Sequence, residues 1–270
     1  MAARRRVRQL TTAGEARWLS DELSVEEPLE IRVGGRPLSV TMRTPGADFD
    51  LAAGFLLTEG IIAGADEIAG MRMCPHGAET SGQLNIVEVS LRGHRERALP
   101  ERNFFMTSSC GVCGKASIDA VRSRSRFDVR DDPVTVSPRV LGALPGRLRE
   151  AQRVFGRTGG VHAAGLFDAA GELLCAREDV GRHNAFDKVI GWAVTQRRLP
   201  LSSHIILASG RASFELTQKA SMAGIPVLAA VSAPSSLAVQ LAEERGMTLV
   251  GFLRGEQMNV YAGHGRVVAA

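Results

Sequence analysis

Two cysteines, Cys110 and Cys113, lie in the run Thr107-Ser108-Ser109-Cys110-Gly111-Val112-Cys113-Gly114-Lys115. The protein has four cysteines in 270 residues, so half of its thiols fall within four positions. A C-x-x-C pair can hold a metal, close a disulfide or handle sulfur. A structural zinc site takes two such pairs, or one pair with two histidines. No second C-x-x-C is present, and Cys74 and His76 are the candidates to complete a site. A zinc deaminase needs H-x-E ahead of its P-C-x-x-C. Here His162-Ala163-Ala164 lacks the glutamate and follows the pair. A thioredoxin-type pair belongs near the start of a small domain, which does not match this position. Sulfur transfer requires an accessible thiolate. The residues after the pair read as a helix, and a helix N-terminus with Lys115 nearby would lower a thiol pKa. Gly111 and Gly114 leave the backbone open to a bulky partner. A second thiol can attack a persulfide formed on the first. On residues alone, sulfur chemistry leads and the metal and disulfide readings stay open.

The rest of the chain has to position this pair. Hydrophobic residues make up 44% and charged residues 23%, the composition of a globular protein with a sizeable core. The formal charge is +4, and Arg4, Arg5, Arg6 and Arg8 supply much of it. Residues 1–24 therefore read as a basic, flexible lead-in. They lack the apolar segment and cleavage site of a secretion signal. No apolar run approaches the roughly 18 residues of a membrane span. One Tyr and two Trp argue against a base-stacking nucleic-acid binder. Few cysteines and no export signal point to a reducing compartment, the cytoplasm.

Residues 25–130 read as a β-rich α+β part ending in the C-x-x-C loop. Glu30–Val33 and Leu38–Met42 alternate around Gly34-Gly35, a hairpin signal. Asp48 can cap a helix that stops near Gly60. Leu84–Leu91 alternates as a half-buried strand. Residues 131–270 read as an α/β part. Val140–Arg153 carries Leu141, Leu144 and Leu148 on one helical face, with Pro145 as a complication. Two strands, Val161–Asp168 and Leu173–Ala176, precede a helix that Asn184 would cap. Apolar strands at 204–208, 226–231 and 248–253 alternate with helices at 213–223 and 235–245, as in a parallel sheet covered on both faces. The carboxyl ends of these strands are polar: Ser209-Gly210-Arg211, Ser232 to Ser236, and Arg254-Gly255-Glu256-Gln257. Ligands bind at that edge of open α/β sheets, and helix N-termini beside arginines favour anions. No P-loop or G-x-G-x-x-G is present. Asp179, Arg182, His183 and Asn184 form a polar loop that reads equally as a ligand site and as a hydrogen-bond network fixing the loop.

Several segments together resemble the formate dehydrogenase accessory sulfurtransferase (FdhD-type) family. They are Ser108 to Gly114, Gly159 to Ala164, Arg177 to Lys188, Ser209 to Glu215, Gly251 to Gly255 and Met258 to Tyr261. The resemblance covers nearly all of the chain after about residue 24. It implies a three-layer, cytidine-deaminase-like C-terminal sheet without the zinc chemistry. It also implies a sulfurtransferase that accepts persulfide sulfur from a cysteine desulfurase. The sulfur goes to the molybdenum bis(guanine dinucleotide) cofactor for the formate dehydrogenase apoenzyme. Cys110 matches the persulfide-bearing position and Cys113 the second cysteine. Phe252, Leu253, Arg254, Gly255, Glu256 and Gln257 match the segment that holds the cofactor's guanine nucleotide. A homodimer is implied, no structural metal is expected, and the alternative is a non-catalytic cofactor-binding chaperone.

Overall fold

The structure is a computed structural model that describes residues 1–75, 84–93, 104–105 and 125–268. Cys110, Cys113 and the helix expected after them lie outside the described residues.

Residues 1–24 are not an irregular lead-in. They form an antiparallel hairpin of β1 (Ala2–Leu10) and β2 (Ala16–Ser24). Long-range contacts that local charge does not reveal latch it down. Glu22 takes hydrogen bonds from Arg157 at 2.8 and 2.9 Å and from Arg4 at 3.3 Å. The Arg157 bonds, then Arg4, hold the Glu22 carboxyl down at about 2. Ser24 Oγ donates to the Gly160 carbonyl, and Arg6 lies over the Trp18 ring at 4.8 Å.

A five-stranded sheet follows, in the order β5-β6-β3-β4-β7. Its members are β3 (Glu27–Val33), β4 (Arg36–Arg43), β5 (Ile68–Cys74), β6 (Ile86–Leu91) and β7 (Phe104–Phe105). The β3–β4 hairpin turns at Gly34 and Gly35, with φ of 57° and 77°. Two successive positive φ values explain why both positions are glycine. Between β4 and β5 runs α1 (Asp48–Thr58). Asp48 does not cap it. The cap residue is Ala47, and Asp48 instead accepts from Arg43 Nε at 3.0 Å. Arg43, 2% exposed, also pairs with Glu27 at 3.0 Å. This buried charge prevailed over the local capping preference.

The second sheet has six strands in the order β13-β12-β11-β10-β8-β9. The strands are β8 (His162–Phe167), β9 (Leu173–Asp179), β10 (Ile205–Ala208), β11 (Val227–Ala230), β12 (Thr248–Arg254) and β13 (Gln257–Ala262). β10, β11 and β12 are parallel as the apolar runs predict. β8 and β13 join antiparallel on either side, so the sheet is mixed. The helices are α2 (Pro138–Ala151), α3 (Arg153–Thr158), α4 (Arg182–Thr195), α5 (Phe214–Met222) and α6 (Ser236–Arg245). Pro145 sits inside α2 without ending it. Ser213 and Ser235 cap α5 and α6 through the backbone N–H of Leu216 and Ala238.

Alternate residues of the central strands face two separate cores. Ile206, Leu228 and Leu249 join α1, α4, α5, α6 and the first sheet, through Leu29, Ile31 and Val33. Ile205, Leu207, Val227, Ala229 and Val250 meet Leu141, Leu144 and Leu148 of α2. Burial on both faces explains why these strands are apolar throughout. Within the larger core, α1 and α4 cross at backbone distance. A Cβ on Gly54 would lie 1.9 Å from the Asp187 carbonyl oxygen, and one on Gly191 1.7 Å from that of Asp50. No helix among the described residues is long and apolar enough to cross a membrane.

Candidate functional site

Strand direction decides which residues share an edge. β10, β11 and β12 end at the edge where β8 begins and β9 ends, because β8 and β9 are paired antiparallel. Register aligns Ala208 with Ala164 and His162 with Asp179. One edge therefore carries Phe252 and Arg254, then Ser232, then Ser209 and Gly210, then His162, then Asp179 and the start of α4.

At the β12 end, the expected loop 254–257 is a tight turn between β12 and β13, with Arg254 paired to Gln257 and Gly255 at φ 56°. Arg254 Nε donates to the Val231 carbonyl at 3.1 Å, which holds the guanidinium across the ends of β11 and β12. Phe252 is 39% exposed and has φ 50°. A bulky residue in the left-handed region is strained, and such strain concentrates at ligand sites. Its N–H donates to the Ser232 carbonyl, which fixes it. Leu253 turns inward into the second core. Of the six residues that the resemblance marks, Arg254 and Phe252 have the chemistry and the exposure to meet an anion and a planar ring.

In the middle, Ser209 Oγ accepts from the Ala163 N–H at 2.9 Å. Gly210 packs against His162: a Cβ there would lie 3.5 Å from Nδ1. His162 is half-buried, and burial, followed by the charge of Arg182, lowers its pKa.

At the β9 end the polar loop is largely consumed by structure. Asp179 is fully buried. It accepts from Thr44 N at 3.1 Å, Gly181 N at 2.8 Å and Asn184 Nδ2 at 3.0 Å, and pairs with Lys188 Nζ at 2.7 Å. Asn184 does not cap α4, whose N-cap is Gly181. Its amide bridges Asp179 and the Met42 carbonyl, and its oxygen accepts from Thr41. These bonds tie the α4 loop to β4 of the other sheet. Lys188, which also donates to the Thr44 carbonyl at 2.7 Å, was not anticipated. A lysine set beside Val189 and Ile190 in an apolar stripe was the signal that could have found it. A second buried pair, Lys219 with Asp187 at 2.8 Å, links α4 and α5 and is completed by Thr58. Burial raises the Asp187 pKa against the pull of Lys219.

His183 is the exception in this loop. It is 7% exposed, and its Nε2 has no hydrogen-bond partner among the described residues. Burial, then Lys219, Arg182 and His162, push its pKa down to about 3. The ring is neutral, so its 3.9 Å approach to Glu215 is not an ion pair.

The other two cysteines differ in reactivity. Cys175 is buried in the larger core, and that burial raises its thiol to about 11. Cys74, at the end of β5, is half-buried. His76, its proposed zinc partner, lies outside the described residues. Among the described residues no group of three or more metal-ligating side chains converges.

Comparison with known proteins is consistent across nearly the whole chain. A protein of Mycolicibacterium paratuberculosis named sulfur carrier protein FdhD is 59% identical over 99% of both chains. A protein of the same name from Streptomyces avermitilis is 60% identical over 92% of this chain and 89% of its own. The fold is similar to the crystal structure of a putative formate dehydrogenase accessory protein from Desulfotalea psychrophila, with a TM-score of 0.77, 24% identity and 99% of each chain covered. The sequence model of the FdhD/NarQ family matches residues 24–268, beginning at the last residue of β2, and on these grounds the chain belongs to the FdhD/NarQ family.

Proposed function

We propose that the protein is a sulfur carrier for formate dehydrogenase maturation, working through Cys110. In this reading the Cys110 thiolate attacks the outer sulfur of a persulfide on a cysteine desulfurase. One S–S bond forms, another breaks, and the desulfurase cysteine leaves as a thiolate. Attack by the Cys113 thiolate on the Cys110 sulfur would then release hydrosulfide and leave a Cys110–Cys113 disulfide, which a dithiol reductant must reopen. The receiving substrate is the molybdenum bis(guanine dinucleotide) cofactor. Arg254 would pair with its phosphates, and exposed Phe252 would stack on its guanine. The mixed six-stranded sheet with helices against both faces supports the deaminase-like layering. A cytoplasmic homodimer completes the proposal.

The observation that carries it is the strand-end edge itself. A guanidinium anchored at 3.1 Å and a strained, exposed Phe252 stand at its β12 end, in a chain whose full-length relatives are named sulfur carriers. The test is to incubate the protein with a desulfurase and cysteine and measure its intact mass. Gain of one sulfur that Cys110→Ala abolishes supports the reading; equal gain by the variant defeats it. Persistence of formate dehydrogenase activation in cells carrying Cys110→Ala would favour a non-catalytic chaperone instead.

A further inference from the structure

At the β9 end of the edge, His183 Nε2 is a buried polar atom with no hydrogen-bond partner among the described residues. His183 sits in the first turn of α4, a helix of 14 residues whose N-cap, Gly181, offers no side-chain cap and whose first turn has no acidic residue. The positive end of a helix dipole attracts negative charge. The His183 side chain is 9% exposed, and its buried Nε2 lies 3.9 Å from Glu215 Oε2 in the first turn of α5. A buried polar atom left unpaired costs free energy comparable to a lost hydrogen bond, so an unpaired nitrogen here calls for a partner from beyond the described residues. The charges acting most strongly on the ring are the cations Lys219 and Arg182, with His162 close by. Glu215, at 3.9 Å, is beyond hydrogen-bond reach and 21% exposed to water.

We propose that His183 Nε2 and the N-terminus of α4 form a subsite for an anionic group, four strands away from Arg254 along the same edge. The neutral ring donates one hydrogen bond, and the helix end and Arg182 supply the positive potential. Two sources of such an anion exist under the sulfur-carrier reading, on which this inference rests: a phosphate of the nucleotide, or the terminal sulfur of the persulfide. The subsite is distinct from the Arg254 end, because four steps between strands spaced about 4.8 Å apart place the two roughly 19 Å from each other.

The test follows the ring nitrogens of His183 by 15N NMR of the full chain, with the resonance assigned by its loss in His183→Gln. One arm adds guanosine diphosphate; the other adds desulfurase and cysteine, with loading checked by intact mass. A shift of the Nε2 resonance with guanosine diphosphate identifies a phosphate, and a shift with sulfur loading identifies the persulfide. No shift in either arm overturns the subsite. If the mass shows no sulfur gained, the sulfur-carrier reading fails and the guanosine diphosphate arm alone decides. In the arm that shifts, His183→Ala should weaken binding or shorten persulfide lifetime about tenfold, as for a lost charge-assisted bond. His183→Gln, which keeps a donor, should restore part of it. A purely structural role would instead show equal losses in both variants, tracking their melting temperatures.

Discussion

The two ends of the strand-end edge are equally polar in sequence and opposite in construction. Phe252 to Gln257 read as a ligand loop, and Asp179 to Asn184 read equally as a ligand site and as a hydrogen-bond network. At the β9 end, Asp179 and Asn184 are buried and answered by backbone and lysine. At the β12 end, Arg254 is exposed and anchored by one bond from its Nε. Density of polar residues therefore does not mark a binding site. What separates the two is whether the polar atoms are already satisfied, since a buried satisfied charge belongs to the fold.

The sharpest way to break that contrast is Asp179→Ala. It strands Lys188 in the interior and leaves three donors unpaired, so it should cost about 3–5 kcal/mol of stability, read by urea denaturation. Wild-type stability in the variant would show that the β9 end is not structural. Arg254→Glu should do the reverse. We expect guanosine diphosphate binding to weaken by roughly 1.5–3 kcal/mol in calorimetry, from a lost charge-assisted contact, with the melting temperature unchanged. A large drop in melting temperature would make the β12 end structural too.

His183 sits between these cases and gives a pH signature. Its folded pKa of about 3 lies below the usual histidine value. The unfolded chain therefore binds a proton in the window between those values and the folded chain does not, so stability falls as pH drops through it. Between pH 7 and pH 5 the loss from this residue is up to about 2 kcal/mol, and His183→Gln should flatten it. An equal pH slope in both proteins would place His183 in contact with water. The smallest effect concerns Cys175. With its thiol raised to about 11, it should resist alkylation at pH 8 in the native protein while Cys74 reacts, as peptide mass mapping would show. Native labelling of Cys175 would mean that α1 and α4 open readily.

Much was legible because it is local. The Gly34-Gly35 turn, the parallel apolar strands, the spans of α5 and α6 and the leucine face of α2 depend on neighbours within a few residues. The arginine-rich start was misread because its order comes from Arg157 and Gly160, far along the chain. Asp48 and Asn184 were misread as caps because Arg43 and Asp179, brought close only by folding, compete for the same atoms.

The sequence by itself determined the chemistry on offer: a C-x-x-C pair, an arginine-bearing strand end, an α/β pattern and a family likeness. Only the tertiary structure decided which polar residues are spent on the fold and which remain for a ligand. The antiparallel insertion of β8 and β9 brings His162 and α4 to the edge where β10, β11 and β12 end. Whether a side chain there is satisfied depends on partners more than a hundred residues away, such as Thr44 for Asp179, and spacing along the chain cannot show that.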